Sequence, residues 1–317
     1  MKAPATVARL LEVASARLAA AGIDTPRVEA EWLLAGLLGA RRGDLGLLLA
    51  QAPDVGLVAR YEAAIERRWS REPLQRILGW EGFRGLRLGL SPDVLVPRPE
   101  TEVLVDLALA LLPIPRGGRH PVVVDVGTGS GCVACAIAAE HPDVQVIATD
   151  RVVGALLVAR DNAVRLGLSR IHFVAADLLT AAGPGAADLI VSNPPYLPTS
   201  LLGSLEPEVR DHEPRGALDG GHDGLRALAG LVGDSTRVLR PGGALVVESA
   251  GGPQADAVVK LMRDAGFVDA AVHRDLAGID RFVSGTVVDA SRGQSAGCIT
   301  RKWGGLARVV AAPAKTT

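Results

Sequence analysis

The chain predicts an α/β fold: a doubly wound, seven-stranded and mostly parallel sheet, preceded by a small all-helical domain and a β-hairpin linker. Three observations carry this. Apolar, β-branched runs end in a polar residue at 122–126, 146–150, 171–177 and 188–192 or in the loop just beyond, as buried parallel strands do. The first run opens into Gly127-Thr128-Gly129-Ser130-Gly131 and then the apolar stretch Cys132–Ala138, a strand–glycine loop–helix unit that begins a nucleotide-binding sheet. Before residue 75 the apolar spacing is helical instead.

Taken in order, Val7, Leu10, Leu11, Ala14 and Leu18 form one face of a helix within residues 4–21. Arg9, Glu12 and Arg17 interrupt its apolar surface, so it reads as amphipathic and not as a signal peptide. Thr25 as N-cap and Pro26 at the first helical position start a second helix carrying Val28, Trp32, Leu33, Leu37 and Leu38. A short segment at 43–50 and an amphipathic helix at 55–70 complete a bundle over residues 1–75. Such a bundle either grips a protein substrate or caps its neighbour. Alternation from Glu81 to Leu95, with Gly82, Gly85 and Gly89, indicates a hairpin inside a 76–97 linker. Pro97-Arg98-Pro99-Glu100-Thr101-Glu102 then opens a helix whose apolar face is Val103, Leu104, Leu107 and Leu111. Pro99 suits a first turn, and Glu100 and Glu102 complement the positive helix end.

The glycine spacing separates two ligand classes. A dinucleotide fingerprint needs a glycine at 132, where this chain has Cys132. The Gly-x-Gly-x-Gly form, preceded by Asp125 near the strand end, is similar to that of S-adenosylmethionine (SAM)-dependent methyltransferases, whose cofactor has no pyrophosphate to seat. Asp150 ends the second strand about 20 residues beyond the loop, the spacing of a ribose ligand. Asp177 ends the third. The fourth, Asp188–Ser192, delivers Asn193-Pro194-Pro195-Tyr196. Two prolines fix φ and lack N–H groups, so their carbonyls face outward as acceptors. With an Asn amide and an aromatic face they make a receptor for a planar –NH2 group. Alone, each acid could be a helix cap and the proline pair only a turn. Four successive strand ends in one open sheet line one crevice.

Downstream, Leu197–Asp234 shows little strand pattern, and an insert of that length is usually functional. A helix over 231–239, a turn at 241–243, a fifth strand at 244–248 and a helix over 255–265 follow. Residues 267–273 and 279–284 close the sheet as an antiparallel pair, ending a catalytic domain of 98–285. Residues 286–317 carry Arg292, Arg301, Lys302, Arg308 and Lys315 against Asp289, which reads as a disordered basic tail.

Composition agrees. The chain has 317 residues, 48% of them hydrophobic, enough for two cores. No apolar run reaches the roughly 18 residues of a membrane span, so a cytoplasmic location is expected. A net charge of −1 argues against a duplex nucleic acid partner. Three cysteines exclude a disulfide framework. Cys132 and Cys135 fall inside an apolar helix and read as small core residues, not as a redox or zinc pair. The histidines lack ligand spacing, so no metal is expected.

On these motifs the chain resembles the HemK/PrmC protein-glutamine N5-methyltransferases, which modify the Gly-Gly-Gln tripeptide of peptide chain release factors. Arg71-Glu72-Pro73-Leu74-Gln75-Arg76-Ile77-Leu78-Gly79, Phe83 and Val96–Glu102 are similar to that family's linker and domain entrance. Asp125–Gly131, Asp150 and Asn193–Tyr196 resemble its core motifs, and Glu213-Pro214, Ala217-Leu218, Gly220-Gly221 and Asp223-Gly224 its post-catalytic loop. The resemblance implies the seven-stranded, Rossmann-like methyltransferase sheet, with its last strand inserted beside the fifth. It implies SAM as methyl donor and a release factor as protein partner. Gly127, Thr128, Gly129, Ser130 and Gly131 would hold the methionine part, Asp150 the ribose, Asp177 the adenine amino group and Leu178 the ring. The Asn193 oxygen and the Pro194 carbonyl would accept the substrate amide hydrogens. Asn193 would also touch the cofactor, Pro195 would share in binding the substrate, and Tyr196 would pack on the amide plane. Arg98 or Glu100 could share the methionine end. Three alternatives stay open: a glutamine of a large-subunit ribosomal protein, an adenine amine of nucleic acid, or a binding module without activity.

Overall fold

The computed structural model describes residues 6–113 and 119–288. Helix α1 (Val7–Ala20) is capped by the Thr6 hydroxyl, and α2 (Pro26–Leu38) starts at its proline and stops at the left-handed Gly39. A 3-10 segment (Arg42–Leu48) leads to α3 (Val55–Trp69), capped by Asp54, and to the short α4 (Leu74–Leu78). Leu11, Leu18, Leu33, Leu34 and Ile65 form the bundle core. Tyr61 is buried among them and donates its hydroxyl to the Ala30 carbonyl at 2.9 Å, which satisfies its polar end.

Strands β1 (Trp80–Phe83) and β2 (Leu86–Gly89) pair as an antiparallel hairpin. It is shorter than the alternation to Leu95 suggested. Beyond Gly89 the carbonyls of Ser91 and Val94 accept from Arg76 at 2.8 and 2.7 Å, and Pro92 has no N–H to give a ladder. Then follow α5 (Thr101–Leu111), β3 (Val122–Val126), α6 (Cys132–Glu140), β4 (Gln145–Asp150), α7 (Val153–Arg165) and β5 (Ile171–Ala175). Next come β6 (Ala187–Ser192), β7 (Leu197–Pro198), α8 (Pro207–Arg210), β8 (Asp219–Gly221) and α9 (Arg226–Val238). The chain closes with β9 (Leu239–Glu248), α10 (Pro253–Asp264), β10 (Phe267–Arg274) and β11 (Asp280–Val287).

The seven-stranded sheet runs β10-β11-β9-β6-β3-β4-β5. All neighbours are parallel except β11, which lies antiparallel between β9 and β10. The last strand thus sits beside the fifth, as expected. Neighbouring residues Val123 and Val124, Leu189 and Ile190, and Val246 and Leu245 point to opposite faces and are all buried. Helices α5, α6 and α7 cover one face, and α9 and α10 the other, which is why these strands read as continuous apolar runs.

Several boundaries differ from the sequence reading. Helix α9 begins at Arg226, earlier than 231, because the Asp223 carboxylate accepts from Leu225 N at 3.0 Å and turns the chain just before it. The turn expected at 241–243 lies inside β9, absorbed by a register shift opposite Ala187 and Leu189 with Gly242 at φ +78°. The 197–234 insert contains its own small parallel pair, β7 with β8. Strand β5 stops at Ala175, so Asp177 stands in the loop after it. Thr286 and Val287 pair with Val268 and Phe267 inside β11. The rest of the expected basic tail, 289–317, lies outside the described residues.

Ion pairs tie the bundle and linker to the insert after β7. Glu208 takes Arg68 at 3.0 Å and Arg71 at 2.8 Å. Arg76 reaches Glu213 at 2.8 Å, and that carboxylate also accepts from Val96 N at 3.3 Å. Glu213 is buried. Removing it would strand a buried guanidinium, so Glu213→Ala is expected to cost about 3 kcal/mol, seen as a lower denaturant midpoint. An unchanged midpoint would contradict this pinning role.

Candidate active site

Strand register aligns the site. Val126 of β3 is level with Thr149 of β4 and Ser192 of β6, and Ser192 is level with Val247 of β9. The next residues, Gly127, Asp150, Asn193 and Glu248, therefore stand level at the carboxyl ends of their strands. Side bonds hold that line. Gly127 N and Thr128 N both donate to the Thr149 carbonyl at 2.9 Å, and the Ser192 hydroxyl donates to the Val126 carbonyl at 2.7 Å.

The glycine loop folds back over the strand ends through left-handed turns at Gly127 and Gly129, φ +71° and +55°, which glycine adopts without steric cost. Asp125 straps the loop from below, accepting from the Thr128 hydroxyl at 2.6 Å and Ala134 N at 3.1 Å. Burial pushes its carboxyl up to about 7. Above the loop lies a cavity of about 370 Å³. Gly127, Thr128, Gly129, Ser130, Asp150, Asp177, Leu178, Asn193, Pro194 and Pro195 all line it, as do Arg98 and Thr101 from the entrance segment and Pro214, Gly216 and Ala217 from the insert.

Two expected residues stand elsewhere. Gly131 does not line the cavity; at φ +79°, a Cβ there would lie 2.9 Å from the Ala159 Cβ. The packing of α6 on α7 alone demands a glycine there. Tyr196 also stays out of the cavity wall. Its ring packs against the core layer under α9 and α10 and its hydroxyl donates to Glu248 at 3.2 Å. Burial and the Glu248 charge push the phenol pKa up, so it stays a hydroxyl. Cys135 is a core residue, and Cys132, partly buried, packs against the same core while bordering the cavity. Burial pushes both thiols up to about 12, which keeps them protonated and poor nucleophiles.

The walls fit an adenosyl sulfonium cofactor. Asp150 is held by Gly129 N at 3.0 Å on one oxygen and Val152 N at 2.9 Å on the other. Each oxygen keeps a further lone pair for the hydroxyls of a ribose. Leu178 adopts φ +48°, uncommon for a residue with a side chain, and it borders the cavity. Gly230 makes room, since a Cβ there would come 2.7 Å from the Leu178 side chain.

Two buried residues were missed as site residues. Asn193 Nδ2 donates to the Thr101 hydroxyl at 3.1 Å, which donates to Glu248 at 2.8 Å. Glu248 closes an apolar run as Asp150 does, and that shared strand-end position was the available signal. Burial pushes its carboxyl up to about 7 as well.

Strand order, loop and strand-end acids together define the class: this is the SAM-dependent methyltransferase fold. Residues 9–79 match the family signature described as the PrmC N-terminal domain, and 105–200 that of the methyltransferase small domain. The release factor glutamine methyltransferase of Geobacter sulfurreducens is 40% identical over 282 residues, covering 89% of this chain and 97% of that protein. The protein of the same name from Deinococcus radiodurans is 43% identical over 276 residues, 86% of this chain and 96% of its own length. Among solved structures, the hMettl16 catalytic domain in complex with MAT2A 3'UTR hairpin 6 aligns at TM-score 0.53 and 16% identity, over 76% of this chain and 84% of that one, a likeness of fold alone. The chain belongs to the release factor glutamine methyltransferase family. No helix among the described residues is long and apolar enough to cross a membrane.

Asp125 and Glu248 share one pH consequence. Both folded pKa values lie near 7, above the roughly 4 of the unfolded chain. The folded state therefore binds more protons between those values, and the stability this contributes is full below about 4 and lost as pH rises through 7. Thermal melts from about pH 5 to about pH 8 should show a smaller loss in Asp125→Asn than in the unaltered protein. Parallel pH profiles would contradict the assignment.

Proposed function

We propose that the protein transfers the methyl group of SAM to the side-chain amide nitrogen of the glutamine in the Gly-Gly-Gln motif of a peptide chain release factor. The observation that carries this reading is that Asn193 and Pro194 line the same cavity as Asp150 and the glycine loop. The release factor follows from the family; a ribosomal-protein glutamine or an adenine amine has no comparable support.

Bound SAM supplies a sulfonium-activated methyl group, so the protein provides orientation and electrostatics. A carboxamide nitrogen is a weak nucleophile because its lone pair is delocalised into the carbonyl. Asn193 Nδ2 is engaged by Thr101, which leaves Oδ1 as an acceptor. Pro194 has no N–H, and its carbonyl is the second acceptor. Two acceptors that hold both hydrogens of the substrate amide fix its nitrogen in line and draw charge toward it as the new bond forms. The nitrogen becomes acidic on gaining a fourth bond, so its proton leaves late and no strong base is needed. The Cys132 thiol stays protonated and does not compete for the methyl group.

Asn193→Ala should lower kcat by about 10²–10³-fold, while the SAM dissociation constant stays within a few-fold. Mass spectrometry should place the methyl group from isotopically labelled SAM on the glutamine of Gly-Gly-Gln. Label on another residue or on nucleic acid, or normal turnover in the variant, would overturn the proposal.

A further inference from the structure

We propose that Thr101 and Glu248 are positioning residues that fix which way round the Asn193 carboxamide stands. The inference rests on the reading above only for what Asn193 then holds. Thr101 opens α5, Glu248 closes β9, and both are 1% exposed. A carboxylate offers only lone pairs, so neutral partners must donate to it. Glu248 Oε2 takes the Thr101 hydroxyl at 2.8 Å and Oε1 takes the Tyr196 hydroxyl at 3.2 Å. The single Thr101 hydrogen is thereby used. Toward Asn193, 3.1 Å away, the Thr101 oxygen can only accept. Nδ2 must face it, and Oδ1 is turned away for another donor. A flipped amide would set oxygen against oxygen.

Packing gives no reason for this acid. Glu248 follows the buried Val246 and Val247, where a charge is costly to desolvate. The cation whose charge favours its ionised form, Arg281, is bonded to Asp275 at 3.0 Å, while Glu100 opposes ionisation. What the carboxylate does is grip both ends of the Asn193–Tyr196 turn, through Thr101 at one end and directly at the other. Above a pH of about 7 it is the charged, acceptor-only form this requires.

The test compares Thr101→Val, Thr101→Ser and Glu248→Gln in the full chain. Valine keeps the shape and loses the hydroxyl; kcat on a Gly-Gly-Gln release factor should fall by about 10²-fold, the scale of a misplaced reacting group. SAM binding, measured by calorimetry, should hold, and serine should restore most of kcat. Glutamine at 248 can donate to Thr101 and so free its hydrogen toward Asn193; kcat should fall as with valine. Without substrate, the Asn193 side-chain NH2 signals in NMR should move in Thr101→Val and Glu248→Gln but stay in Thr101→Ser. Full turnover in Thr101→Val with unmoved Asn193 signals overturns the relay while methyl transfer stands. An unmethylated release factor with the unaltered protein sinks the substrate reading instead, and the NMR comparison still decides the relay.

Discussion

Val126 is paired on one side with β4 and on the other with β6. The chain leaves β3 toward one neighbour and returns later to the other, so a crevice opens above the carboxyl end of β3 where the two directions part. Everything chemical depends on that point. The cavity walls come from loops after β3, β4 and β5, and from the Asn193-Pro194-Pro195 turn after β6. No single segment contains the site, and one register slip in any of the parallel pairs would turn a wall residue to the other face of the sheet.

Buried carboxylates then give those loops one conformation each. Asp125 straps the glycine loop, Glu248 orients the acceptor turn, and Glu213 fastens the insert to the linker by way of Arg76. Each is an uncommon place for an acid: Asp125 and Glu248 hold backbone or neutral hydroxyls, and Glu213 holds the Arg76 guanidinium and the Val96 amide. Asp150, by contrast, is fixed by two backbone N–H groups and keeps lone pairs toward the cavity. Asp125, Glu248 and Glu213 thus shape the site, while Asp150 and Asp177 line its cavity. The ion pairs of Glu208 with Arg68 and Arg71 connect the helical bundle to the same insert whose Gly216 and Ala217 line the cavity. A protein substrate seated on the bundle would therefore sit on elements continuous with the methyl-transfer crevice.

Much of this was legible in the residues. β-branched runs ending in Gly127, Asp150 and Asn193 encode both the strands and the level at which their loops emerge. Local pattern could not say why each glycine is present. Gly127 and Gly129 face the cavity, whereas Gly131 makes way for Ala159, and the same Gly-x-Gly-x-Gly spells all three. Nor could it orient Tyr196, whose carbonyl accepts from Gln254 at 2.9 Å and whose hydroxyl reaches Glu248. The Thr101–Glu248 bond joins positions 147 residues apart; only the assembled sheet brings them together. The Pro241-Gly242-Gly243 run reads as a turn by composition, yet β6 pairs with Leu239 before it and Ala244 after it, which keeps it in the strand as a bulge.

The claim at the centre is geometric: one carboxamide oxygen and one proline carbonyl hold a glutamine –NH2 in line with a methyl sulfonium. A crystal structure with S-adenosylhomocysteine and a Gly-Gly-Gln peptide tests it directly. The expected result is a glutamine nitrogen within hydrogen-bond distance of Asn193 Oδ1 and the Pro194 carbonyl, with the cofactor sulfur on its opposite side and the ribose on Asp150. A peptide bound with its glutamine outside that crevice, or an Asn193 amide presenting nitrogen to it, would contradict the account.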